Sequence, residues 1–276
     1  MTRYVDVSDA TMLALERHEA YAHAIPDREV RELPDAIALF DPGDPEPFWN
    51  RLSGVRWPED AAGFDRRLTA ALALFASVGR MPHVWPSPAH ASPRDLVARL
   101  AAHGFHDVGG GHVMVLEDPA GSPPVRPAEL PRGVTMHAMH TAADAGPTDP
   151  EDMALVLTES FGALPGRTVS LAGELRRTLD DPRIVLVLVR VNGEPAAAAK
   201  ATTFDGLTYI SSVGTRVPYR GQTLAGIATR HALNLGGGAV AGRAYLGVFT
   251  GNEPALRLYE RLGFASVGES PDMLLE

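Results

Sequence analysis

The chain has 276 residues, 45% hydrophobic and 21% charged, a globular composition sufficient for one large domain or two of ordinary size. A formal net charge of -9 repels phosphate backbones and argues against a nucleic-acid partner. Cysteine is absent, which excludes disulfides, thiolate metal sites and a cysteine nucleophile.

The first residues, M-T-R-Y-V-D-V-S-D, place charges where a signal peptide needs an apolar core. The longest apolar runs, 68–78 and 184–189, are too short or too interrupted to span a bilayer. These features predict a soluble, cytoplasmic protein with no membrane partner. Residues 12–24 have helical spacing through Met12, Leu15, His18, Tyr21 and Ala22, with Asp9 or Thr11 as caps. Residues 36–40 read as a strand that stops at Asp41-Pro42-Gly43. A helix follows over 63–78, then an extended segment over 81–85. The next helix, 93–103, takes Ser92 as N-cap and Pro93 in its first turn, and Gly104 closes it before a strand at 112–116. Residues 118–132 hold Pro119, Gly121, Pro123, Pro124, Pro127 and Pro131, a density that continues neither helix nor ladder. This stretch is the predicted linker between domains at 1–117 and 133–276.

In the second half, 141–150 is a loop leading into a helix at 151–161, and a further helix covers 169–179. Residues 184–191 form a β-branched and leucine run that reads as a buried strand. It ends in Asn192-Gly193, the preferred type I′ turn. The returning strand is 196–203, and Asp205-Gly206 turns the chain into a third strand at 207–215. The expected fold class is α/β (α+β): two tandem domains, each a mixed, mostly antiparallel sheet flanked by helices.

The tandem expectation rests on an internal repeat. Leu100-Ala101-Ala102-His103-Gly104-Phe105 aligns with Tyr259-Glu260-Arg261-Leu262-Gly263-Phe264. The same register pairs Val108 with Val267, Gly109 with Gly268, Met114 with Met273, Leu116 with Leu275 and Glu117 with Glu276. A shared register through a helix, its glycine and the next strand points to two copies of one fold. In the first copy Leu100 stands at the place of Tyr259, and Ala61 and Ala62 stand at those of Arg220 and Gly221.

Two segments carry chemistry. V-G-T-R-V-P-Y-R-G-Q-T-L-A, from Val213 to Ala225, runs from a strand through a glycine turn into a helix. Backbone N–H groups converging at such a helix start can cradle a diphosphate. N-E-P-A-L-R-L-Y-E-R-L-G-F, from Asn252 to Phe264, begins a second helix, with Asn252 as N-cap and Pro254 early in it. Tyr259 lies on the helix face of Ala255 and Leu262. The ten histidines show no ligand spacing, so no metal is expected. Gly236-Gly237-Gly238 reads as a loop after a helix, because no helix follows it directly.

Together these segments resemble the GNAT acyl-CoA-dependent N-acetyltransferases. Arg220-Gly221-Gln222-Thr223-Leu224-Ala225 is similar to the family's R-x-x-G-x-G/A pyrophosphate loop, with Thr223 where its first glycine usually stands. The resemblance implies acetyl-CoA as co-substrate, held by this loop, by backbone groups of Val213, Gly214 and Thr215, and by Asn252 and Ala255. It implies that Tyr259 protonates the departing thiolate, and that the acceptor is a small-molecule or peptide amine. No carboxylate lies in 207–215, so Ser212, a water relay or Glu159 stand as candidates for the base. The alternatives are a non-catalytic acyl-CoA sensor and a scaffold. The sequence does not specify the oligomeric state.

Overall fold

The computed structural model describes residues 2–162, 166–236 and 242–276. In chain order the elements are α1 (Asp9–Ala24), β1 (Glu29–Leu33), β2 (Ala36–Phe40), β3 (Arg51–Ser53), α2 (Ala61–Ser77), β4 (His83–Val84), α3 (Leu96–Ala102) and β5 (His106–Leu116). The second series is β6 (Val134–Met139), α4 (Asp149–Phe161), α5 (Arg167–Thr178), β7 (Ile184–Val191), β8 (Glu194–Phe204), β9 (Leu207–Thr215), α6 (Leu224–Leu235), β10 (Arg243–Phe249), α7 (Glu253–Arg261) and β11 (Ala265–Leu274).

The chain forms two compact units, and neither is continuous in sequence. Unit one comprises Met1–Met114, Gly247–Arg257 and Ala265–Glu276; unit two comprises Val115–Leu246 and Leu258–Phe264. This differs from a simple cut at the proline-rich segment, because the C-terminal strand β11 pairs antiparallel with β4 through Met273↔Val84.

Unit one orders its strands β1-β2-β3-β4-β11-β5. One sheet face is apolar: Ala36, Ala38, Phe40, Leu52 and Met273 pack against Phe64, Leu68 and Phe75 of α2 and Leu96 and Leu100 of α3. Ser8, rather than Asp9 or Thr11, caps α1 by accepting from Thr11 N at 3.1 Å. Ser92 does not cap a helix. Its carbonyl accepts from Trp57 N and its hydroxyl donates to Trp57 O, both at 3.0 Å, so α3 starts later, at Leu96.

Unit two orders its strands β10-β9-β8-β7-β6. The two tight turns are as expected, with Asn192, Gly193, Asp205 and Gly206 all at positive φ, the condition a type I′ turn imposes. They hold β7, β8 and β9 as an antiparallel meander. Helices cover both faces. Gly214 lies against Leu157 and Ser160 of α4, while Ala201, on the other face by strand alternation, lies against Gly236 beyond α6. Of the predicted 236–238 loop, residues 237 and 238 lie outside the described residues.

The repeat appears as matched geometry. Phe105 N bonds Leu100 O at 3.1 Å in unit one, and Phe264 N bonds Tyr259 O at 3.0 Å in unit two. Gly104 and Gly263 take φ of +91° and +96°, the left-handed closure that favours glycine. A Cβ on Gly104 would meet Leu275 at 3.3 Å, and one on Gly263 would meet Leu116 at 3.2 Å. Leu116 and Leu275 are themselves counterparts, so each copy closes its helix on the strand that follows the other.

Candidate functional site

The site in unit two starts with a defect in β9. Ala198 pairs with Gly214 and Lys200 with Ser211, so β9 carries one residue more than β8 across this step. Ser212 absorbs it at φ +53°, forming a bulge that bends the strand. The parallel pairing of β9 with β10 extends from Leu207↔Arg243 to Tyr209↔Tyr245, where the two tyrosine rings stack at 4.9 Å. Val213, Gly214 and Thr215 lie further along β9, past the pairs of that register. Gly214 permits α4 to lie close, since a Cβ there would sit 2.7 Å from Ser160 Oγ.

After β9 a short 3-10 turn, Val217–Tyr219, leads to Arg220, Gly221, Gln222 and Thr223. Gly221 has φ +78°, and open space surrounds the position of its missing Cβ. Thr223 stands at the N-cap of α6 in left-handed conformation (φ +62°, ψ +7°), and its side chain makes no capping bond. Its hydroxyl donates instead to Gln222 O at 2.6 Å. The N–H groups of Leu224 and Ala225 lie in the first turn, where helix geometry offers no acceptor. The α2 helix of unit one starts four residues earlier in the repeat register and has a side-chain cap: Asp60 accepts from Gly63 N at 2.7 Å. One helix start carries its own carboxylate, and the other has no side-chain cap.

Arg220 turns toward the strand, donating to Thr215 O at 3.2 Å. Arg216 makes a two-pronged pair with Glu159 at 2.8 and 3.2 Å and donates to Pro195 O. The Glu159 hydrogen bond is the main cause of a raised Arg216 pKa. Glu159 is therefore committed to a cation, which counts against it as a base. Ser212 is half-buried in the bulge.

Tyr259 is 6% exposed, edge-on to Phe264. Among the described residues no hydrogen bond engages its hydroxyl. Burial holds the phenol above its ordinary pKa, so it stays protonated. The neighbouring Leu258 packs against Gly226 in the first turn of α6, where a Cβ would approach it at 3.1 Å. Asn252 and Ala255 open α7 within the residues of unit one; Asn252 accepts from Ala255 N at 3.3 Å and acts as the expected cap.

The bulge, the Tyr209–Tyr245 stack and the Arg216–Glu159 pair carried no sequence signal. Among the described residues no group of three or more His, Asp or Glu could hold a metal, and no helix is long and apolar enough to cross a membrane.

Residues 153–264 match the family model described as the acetyltransferase (GNAT) family. A GCN5-related N-acetyltransferase from Kribbella flavida is similar over 98% of this chain and 96% of its own, with TM-score 0.67 and 21% identity. One from Sphaerobacter thermophilus shares 18% identity over 99% and 94%, with TM-score 0.61. A tandem GNAT protein from the clavulanic acid biosynthesis pathway shares 16% identity over 97% and 94%, also with TM-score 0.61. No curated protein sequence matches the chain. The fold is that of the GNAT acetyltransferases, in a tandem form. The family match itself is confined to residues 153–264.

Proposed function

We propose that residues 133–276 act as an N-acetyltransferase that moves the acetyl group of acetyl-CoA to an amine. In this reading 118–132 is a linker and 1–117 a copy without a phosphate loop. The observation that carries it is the contrast between the two helix starts. The N-terminus of α6 follows a glycine turn and lacks a side-chain cap, whereas the start of α2 is capped by Asp60. The pyrophosphate would lie on the N–H groups of Gly221 to Ala225, with Arg220, Gln222 and Thr223 at its edge. The pantetheine arm would pair with the edge of β9 at Val213, Gly214 and Thr215, and the family resemblance also assigns Asn252 and Ala255 to the cofactor.

The amine nitrogen attacks the thioester carbonyl directly, and a backbone N–H near the Ser212 bulge stabilises the oxyanion. Collapse forms the C–N bond and breaks the C–S bond. Tyr259 donates a proton to the departing thiolate. Its burial disfavours the phenolate, so the proton lost by the attacking amine must return to Tyr259 as the thiolate leaves, with Ser212 or a water carrying it.

Calorimetric titration of the full chain with acetyl-CoA tests the first half of this reading. One site per chain is expected, and Gly221→Glu should abolish it while the thermal transition persists. Unchanged affinity in that variant would remove the loop from the account. Acetyl-CoA binding without transfer to any of a panel of amines would favour the sensor reading.

A further inference from the structure

On the sheet face of unit two that α4 covers, β8 places a cation. Gly214 faces Ser160 of α4 and is the register partner of Ala198, so alternation along β8 turns Lys200 and Thr202 to the same side. Their own register partners, Ser211 and Tyr209, share that face. Of the 25 lysines and arginines in the chain, Lys200 is the only lysine. It is half-buried, between Ala199 and Ala201, both 0% exposed, a costly position for a charge.

Two hydroxyls beside it make no hydrogen bond among the described residues. Thr202 is 0% exposed, and neither its Oγ1 nor the Oγ of Ser211 on the neighbouring strand has a partner. Buried polar groups ordinarily find one. Ser211 itself is half-buried, so rotation about χ1 can bring its hydroxyl to the open side. The carboxylates of α4 are engaged by other cations: Asp149 and Asp152 by Arg190, Glu151 by Arg176, and Glu159 by Arg216. Leu186, the partner of Lys200 in β7, adds no charge.

We propose that the acetyl acceptor is an amine of the amino-acid class, and that Lys200, with the Ser211 and Thr202 hydroxyls, receives its carboxylate. This inference rests on the acetyltransferase reading. Ser211 directly precedes the Ser212 bulge, beside which the thioester would lie. A carboxylate held at Lys200 therefore leaves the amine about one strand spacing, roughly 5 Å, from the reacting carbon, a span of a few bonds. The carboxylate takes no part in the chemistry. The nitrogen attacks the thioester carbonyl, the C–N bond forms and the C–S bond breaks. Of the two protons the ammonium loses, one leaves on the thiol and one goes to solvent.

Labelling the full chain with 13C-lysine gives a single lysine side chain to follow by NMR, and the common L-amino acids serve as probes. At least one should shift the Lys200 signal with a Kd on the order of 0.1–1 mM. Calorimetry with that amino acid should show binding weakened roughly tenfold or more by methyl esterification of the ligand and by Lys200→Met. Glu174→Gln, which removes the carboxylate of α5, should retain it. Thermal melts establish that each variant folds, and Lys200→Gln replaces Lys200→Met if that chain does not. No shift with any amino acid, equal binding of the methyl ester, or loss of binding in Glu174→Gln but not in Lys200→Met would overturn the proposal. Acetyl transfer to amines without a carboxylate at an equal rate would overturn it while the acetyltransferase reading stands. Amino-acid binding in a chain that takes no acetyl-CoA would instead remove that reading, and the acceptor role with it.

Discussion

Thr223→Gly isolates the departure of this loop from its family pattern. Thr223 is a β-branched residue at φ +62°, a region that costs an L-residue roughly 1–2 kcal/mol. Glycine removes that strain but loses about 0.5–1 kcal/mol of backbone entropy on folding. The Oγ1 bond to Gln222 O, 2.6 Å long, lies at an exposed position where water replaces it readily. The net expectation is a stabilisation of about 0.5–1 kcal/mol, or roughly 1–4 °C in Tm for a chain of this size. Acetyl-CoA affinity should hold or rise, because the N–H groups stay in place and a methyl group leaves their approach. Differential scanning calorimetry and an acetyl-CoA titration read the two effects separately. A Tm that falls, or affinity that drops tenfold, would refute the reasoning and make the Thr223 hydroxyl a ligand in its own right.

Tyr259→Phe should keep acetyl-CoA affinity and Tm while lowering turnover on the order of a hundredfold, read by thiol release. Wild-type turnover would leave Tyr259 a packing residue. Asp149 is buried between His137, at 2.8 Å, and Arg190, at 2.6 Å. Burial alone would raise its carboxyl, but the Gly146 N–H, Arg190 and His137 together hold it below its ordinary pKa. Asp149→Asn should cost about 2–4 kcal/mol in urea denaturation; a loss under 1 kcal/mol would contradict that role. Asp272 is pushed up to about 7 by burial, with Glu19 and Asp107 adding to the rise and Arg51 opposing it. The folded chain then holds a proton that the unfolded chain has released, so this group's stabilisation is complete at low pH and lost as pH rises through 7. Asp272→Asn should flatten that slope, gaining about 2–4 kcal/mol on wild type at pH 8 and little at pH 3.5. Parallel stability profiles would refute it.

The second half was legible because its signals are local. The run of β7 ends in Asn-Gly, and Asp-Gly opens β9, so both strands begin and end as read. β1 escaped notice because Glu-Val-Arg-Glu-Leu is charged and mostly half-exposed, giving no apolar face to count. β6, Val134–Met139, mixes polar and apolar residues without a clean period. At the site, the loop and Tyr259 stand out by residue type, but the bulge falls on a serine that ordinarily avoids positive φ. The Arg216–Glu159 pair joins elements far apart in sequence. Ser92 looked like a cap because its own residue type fits one, while the Trp57 backbone that claims it is remote.

The place of β11 in unit one bears on how the molecule is made. On the ribosome β4 emerges long before Met273, the residue that pairs with Val84, and at roughly 5–20 residues per second the delay is on the order of ten seconds. For that time the first unit has an open strand edge and Gly104 lacks Leu275, the residue it packs against. Unit two needs only the short segment Leu258–Phe264 from the same region. The half translated first is thus the half that must wait, and an exposed edge of this kind is where a chaperone or a second nascent chain would engage.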